Sequence, residues 1–172
     1  MSARQENFRM FARYNAWANE RVYTAAALVP PQVLSEDKGA FFGSLLGTLN
    51  HLFVTDRLWM SRLAGESPSG TKLNDVPFHE FSELRAAKQA QDQDLIAHVD
   101  GLSEERLAQP IAYATTSGAA QSQPLHEVLS HLFNHQTHHR GQAHHLIGVA
   151  LGREKTPVLD LLAYQRTVAG AT

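Results

Sequence analysis

Helical periodicity constrains this chain before any other feature does. Apolar residues recur at spacings of three and four along four long stretches, while strand-like alternation is scarce. The first stretch covers about 2–28 and stops at Pro30 and Pro31, with Phe8, Phe11, Ala12, Val22, Tyr23 and Ala26 on one stripe. The second covers about 44–64, ends at Gly65, and carries Leu45, Leu49, Leu52, Trp59 and Leu63 on its apolar face. The third covers about 79–99. The fourth opens near Pro124, a favoured first-turn residue, and runs to about 150, ahead of Gly152. A shorter helix is expected over 158–168, after Pro157. Between the third and fourth stretches, "PIAYATTSGAAQSQP" is too rich in Ser, Thr and Gly for a helix. It predicts a loop or a small β-hairpin turning at Ser117 and Gly118. The expected fold is all-α: a four-helix bundle with a long crossover, a small β-hairpin there, and a short C-terminal helix. The 172 residues suit one domain spanning 1–172.

Composition narrows the function. The chain is 43% hydrophobic and 19% charged, so it can build a core rather than remain disordered. It has no cysteine, which removes disulfides, thiolate nucleophiles and zinc–thiolate sites; any metal must be held by His, Asp or Glu. A net charge of -2 gives no basic face for nucleic acid. No apolar run is long enough to span a membrane, and the start "MSARQENFRM" has no signal-like apolar core. The expectation is a cytoplasmic protein with neither nucleic-acid nor membrane partners.

Six of the ten histidines fall in residues 131–145, "HLFNHQTHHRGQAHH". With His135 at zero and about 100° per residue, His139 lies at about +40°, His131 at about −40° and Gln142 near −20°. This ridge borders the apolar face of the fourth helix. His126 and His144 fall on the opposite side, and His138 and His145 flank the polar edge. Two histidines at i and i+4 bring two imidazole nitrogens to one point, as helical zinc sites do; solvated histidines at the edge of the core are the alternative. "HQTHH" at 135–139 matches the metalloprotease pattern except that Gln136 replaces the glutamate base. An amide cannot accept a proton, so a protease is disfavoured. A third ligand must come from elsewhere. His79 and His98 sit near helix ends, whereas His51 lies beside the apolar face of the second helix and is the best candidate. Its alternative role is a core-edge histidine bonded to a carbonyl.

Other polar residues sit on apolar stripes and need partners. Asn15 and Asn19 lie mid-stripe on the first helix, placed either to orient a ligand histidine or substrate, or to bond between helices. Asp56 lies in the apolar arc of the second helix and needs a cation or donors, which Arg140 is placed to supply as a structural ion pair; a functional role at the site is the alternative. Gln142 is placed to contact a metal-bound water. Gly141 in mid-helix costs about 1 kcal/mol relative to Ala, which suggests close approach of another helix. Trp17, Met10 and Leu28 lie opposite the core stripe of the first helix and suggest a homodimer contact.

The segments "RYNAWANERV" at 13–22, "LNHLFVTDRLWMSRLAGE" at 49–66, "HLFNHQTHHRGQ" at 131–142 and the ending "VLDLLAYQR" resemble, in that order, the DinB-like (DinB/YfiT-like) metal-binding helical-bundle family. The resemblance spans nearly the whole chain, and its third motif is the specific one. It implies a four-helix bundle with one divalent metal on His51, His135 and His139. Zinc or nickel is the first expectation, with iron or manganese behind them. Some relatives are S-transferases using a low-molecular-weight thiol and others are thiol-dependent isomerases. The resemblance therefore implies a small-molecule substrate and a thiol cosubstrate. A non-catalytic metal-binding or stress-response module is the alternative.

Overall fold

In a computed structural model, residues 1–66 and 70–170 are described, and seven α-helices and one two-stranded sheet are found among them. The four long helices are α1 (Ala3–Ala26), α3 (Leu45–Leu63), α4 (Phe81–Asp100) and α6 (Leu125–Leu151). The short helices α2 (Pro31–Ser35) and α5 (Glu104–Ala108), which periodicity does not reveal, sit in the connections, and α7 (Leu161–Ala169) follows a 3-10 turn at Arg153–Lys155. Helix starts follow local chemistry. Ser2 caps α1 in a reciprocal box with Gln5, and the Ser44 hydroxyl accepts from the Gly47 N–H at the start of α3. The expected hairpin is present as antiparallel β1 (Pro110–Ala114) and β2 (Ala120–Pro124), and Gly118 takes the positive φ its turn requires. The C-terminal helix starts later than periodicity suggests. Residues 157–159 instead lie outside the helix, their carbonyls meeting Tyr14, Arg21 and His144.

Two apolar clusters fill the ends of the bundle. One joins the C-terminal part of α1, the N-terminal half of α3, the start of α4 and the C-terminal half of α6; the other joins the opposite halves. So α1 and α6 run one way and α3 and α4 the other. Each of α1 and α3 touches both α4 and α6. Parallel neighbours cannot be joined by a tight turn, and the crossover between α3 and α4 brings Leu73 and Phe78 against α3.

Between the clusters lies a buried polar belt of Asn15, Asn19, Asp56, Lys88, Asp92, Gln136 and Arg140. Lys88 is only 1% exposed, yet its ammonium donates to Asp56 Oδ2 (2.6 Å), Asp92 Oδ1 (2.8 Å) and Gln91 Oε1 (3.1 Å). Burial would drive the lysine toward neutrality, but the pull of Asp56 and Asp92 outweighs it and holds the ammonium above its usual range. The expected Asp56–Arg140 pair does not form. Arg140 donates to the amide oxygens of Asn15 (2.5 Å) and Asn19 (3.0 Å), and Asp56 pairs with Lys88 instead. The reason is geometric: α4 brings a lysine directly onto α3, while Arg140 faces α1.

Met10 and Trp17 are not a free contact surface. They pack with Tyr14 under α7, where the Trp17 and Tyr164 rings lie 5.6 Å apart; Leu28 remains 64% exposed. No helix among the described residues is long and apolar enough to cross a membrane.

Candidate metal centre

The seam between α3 and α6 brings three histidines together. His51 comes from α3, and His135 and His139 come from successive turns of α6. One ligand nitrogen from each lies within 4.8 Å of the others. His51 and His135 approach through Nε2, 3.4 Å apart. The second nitrogen of two rings is anchored. His51 Nδ1 lies 2.7 Å from the carbonyl oxygen of Leu73, in the crossover between α3 and α4; a carbonyl only accepts, so Nδ1 carries the proton and Nε2 presents its lone pair. Asn50 fixes the same crossover by exchanging hydrogen bonds with both the carbonyl and the N–H of Phe78. His139 Nδ1 lies 2.8 Å from Gln142 Oε1, one turn on, which turns Nε2 inward. Gln142 thus orients a ring, where its ridge position suggested contact with a metal-bound water.

The site is sheltered. Phe42 stacks on His51 at 3.8 Å between ring centroids and meets His139 edge-on at 5.4 Å. Its turn needs Gly43 at positive φ, and a Cβ on Gly47 would collide with the Phe42 carbonyl. Burial, then the charges of His139 and His51, push the His135 imidazole down to about 3. Burial also lowers His51 and His139. All three rings are therefore neutral at neutral pH, the state a metal requires. His51 and His139 present Nε2 lone pairs and His135 brings its own Nε2 to the same point, a set of three imidazoles that suits a divalent cation, and the residues present fit one.

The polar residues beyond the cluster divide sharply. Asn15, Asn19, Asp56 and Arg140 belong to the buried belt and bond to one another, to Asp92 or to Lys88 rather than to the histidines. Gln136, where a protease would keep its base, is 0% exposed and points into the belt, with Nε2 donating to Asp56 Oδ1 (2.6 Å) and the Leu52 carbonyl (3.1 Å). Its Oε1 has no hydrogen-bond partner. His144 is half-buried against the Pro157 carbonyl rather than on the solvent side. Gly141 is not a point of helix contact, since a Cβ there would meet nothing within 4 Å. Sequence reasoning missed Lys88 and Asp92, although both sit on the same α4 stripe as Leu84, Leu95 and Val99. It also missed Phe42 and Leu73, which lie in connections without periodicity.

Comparison with known proteins agrees with this architecture. A family model described as "DinB family" matches residues 1–168. Protein DinB of Bacillus subtilis (strain 168) is 24% identical over 132 residues, covering 74% of this chain and 77% of that protein. Among solved structures, a DinB-like protein from Bacillus cereus ATCC 10987 aligns with a TM-score of 0.61 at 19% identity, over 81% of this chain and 90% of that one, a likeness of fold.

Proposed function

The chain belongs to the DinB family, and from that membership together with the three converging imidazoles we propose that His51, His135 and His139 hold a divalent metal in a metal- and thiol-dependent S-transferase. The observation that carries this reading is the convergence of three neutral imidazole nitrogens, two of them aimed by hydrogen bonds on the far side of the ring. Imidazoles suit zinc and nickel, and also iron; an all-nitrogen set without carboxylate is less suited to manganese. A divalent ion held by three neutral ligands keeps its full charge and supplies Lewis acidity, lowering the pKa of a coordinated thiol.

The chain's own residues supply position and shelter. With no cysteine in the protein, the nucleophilic sulfur must arrive with a cosubstrate. A cavity of about 540 Å³ lies against α6 beside the cluster, lined by Phe41, His138, Gly141, Gln142, Leu146 and Val149 among others. Its volume falls in the range of small-molecule sites, and its largely apolar wall suits the body of an electrophile. Gly141 leaves the helix backbone bare where that molecule would lie. In the transfer, the thiol sulfur bonds to an electrophilic carbon, the leaving group departs with its bonding electron pair, and the thiol proton passes to solvent. Phe42 limits competing water at the imidazoles.

A panel of low-molecular-weight thiols and carbon electrophiles, assayed with zinc-loaded and chelated protein, tests the reading. Thiol consumption is expected only with metal, and His51→Ala should abolish it together with stoichiometric zinc. Zinc bound at full stoichiometry with no turnover, and no sulfur-to-metal charge-transfer band on adding thiol to cobalt-substituted protein, would leave a non-catalytic binding module.

A further inference from the structure

We propose that Arg62 holds the carboxylate of a ligand entering the α3–α6 seam beside the three histidines. Arg62 follows His51 by eleven residues, about three turns, so the two share one face of α3. A run of contacts links it to the cluster. Its guanidinium lies 4.5 Å from the ring centre of Trp59, Trp59 meets His131 edge-on at 5.4 Å, and His131 lies 5.8 Å from His135. Tyr113 of β1 also faces the guanidinium, at 5.0 Å.

The inference rests on what Arg62 lacks. It is only 7% exposed, yet it has no carboxylate partner among the described residues. Nη2 donates to the Ala114 carbonyl at 2.8 Å, and Nε is buried without an acceptor. The two cations of the central belt are treated differently: Lys88 has two carboxylates and Arg140 two amide oxygens. A guanidinium under aromatic cover with an unused donor is a strong site for a planar anion, which its fork can grip in two places. A single guanidinium balances a single carboxylate. A phosphate dianion would leave excess negative charge against Trp59 and Tyr113, so the carboxylate is favoured. His131 is exposed and offers a way in from solvent.

The proposal depends on the seam being a ligand site, as the function proposed above holds, and the experiment separates the two. Trp59 reports on the subsite once the other tryptophan is removed by Trp17→Phe. In chelated protein, millimolar hexanoate should change Trp59 emission saturably and bind about ten-fold or more tightly than hexanamide. Arg62→Met should abolish that preference and Arg62→Lys should retain part of it. If Arg62→Met does not fold by circular dichroism, Arg62→Lys and the acid–amide comparison still decide. Equal responses to hexanoate and hexanamide, no saturable response, or a preference unchanged in a folded Arg62 variant would overturn the subsite and leave Arg62 as a pin for the hairpin. Cobalt-substituted protein with 6-mercaptohexanoate and 6-mercaptohexanol then locates the acid. An Arg62-dependent advantage for the mercapto acid puts the carboxylate on the thiol, and hexanoate binding without that advantage puts it on the other substrate. A charge-transfer band with both thiols, combined with a negative fluorescence result, retains the metal–thiol reading and rejects the subsite; the reverse pattern does the opposite.

Discussion

Replacing Lys88 with methionine should be among the most damaging single changes in the bundle. The side chains are similar in length, so little volume is lost, and the effect isolates charge. In the native protein, one ammonium satisfies Asp56 at 2.6 Å and Asp92 at 2.8 Å, with all three residues buried. Without it, Asp56 keeps one Gln136 amide donor, while Asp92 keeps the amides of Asn15 and Asn19. Removing one partner of a buried ion pair costs about 3–5 kcal/mol because the surviving charge stays buried. For a chain of this length that corresponds to a fall in Tm of about 10 °C. The loss should depend on pH in a defined direction. Burial already pushes the Asp56 carboxyl above its usual range, ahead of the opposing pull of Lys88, and removing the lysine raises it further. A carboxyl whose folded pKa is raised contributes fully below its unfolded pKa and loses that contribution as pH rises through the folded value. The deficit of Lys88→Met should therefore be smaller at pH 5 than at pH 8, in urea unfolding read by circular dichroism. Adding Asp56→Asn should recover part of it. A loss below about 1 kcal/mol at pH 8, or no recovery in the double variant, would refute the view that charge balance in this belt controls stability.

Further outcomes follow from the same geometry. His135 is held at about 3 against an ordinary 6.5, so the unfolded chain takes up a proton between those values that the folded chain refuses. Metal-free protein should lose stability as pH falls below about 6.5, with a shallower slope in His135→Ala, as thermal scans across that range would show. Gln142→Ala removes the hydrogen bond that aims His139 and should weaken zinc binding about 10–100-fold by competition titration, while leaving the fold intact. Gly141→Ala meets nothing within 4 Å and should stabilise the helix by about 1 kcal/mol in urea unfolding, while narrowing the adjoining cavity and weakening ligand binding there.

The sequence by itself determined the four long helices, the hairpin turn and the ridge that carries His135 and His139. These depend on spacing along one chain, which a 3.6-residue period makes legible. The first, second and fourth helices carry their apolar stripes, and Gly118 marks the turn, wherever the helices later pack. His51 was legible as a candidate because it borders the apolar face of its own helix. What spacing cannot convey is which helix face meets which. Asp56 needed a cation, and both Arg140 and Lys88 were within the chain's repertoire; only the packing of α4 against α3 settled the pairing in favour of Lys88. The same holds for Leu73 and Phe42. They reach the histidines from connections with no periodic signal, because the parallel run of α3 and α4 forces the crossover over the site and a glycine-rich turn lays Phe42 on His51. Gln136 shows the limit most plainly. Its neighbours in sequence suggest a failed catalytic base, but rotation about the helix turns it into the belt, where it bonds to Asp56 rather than facing the histidines.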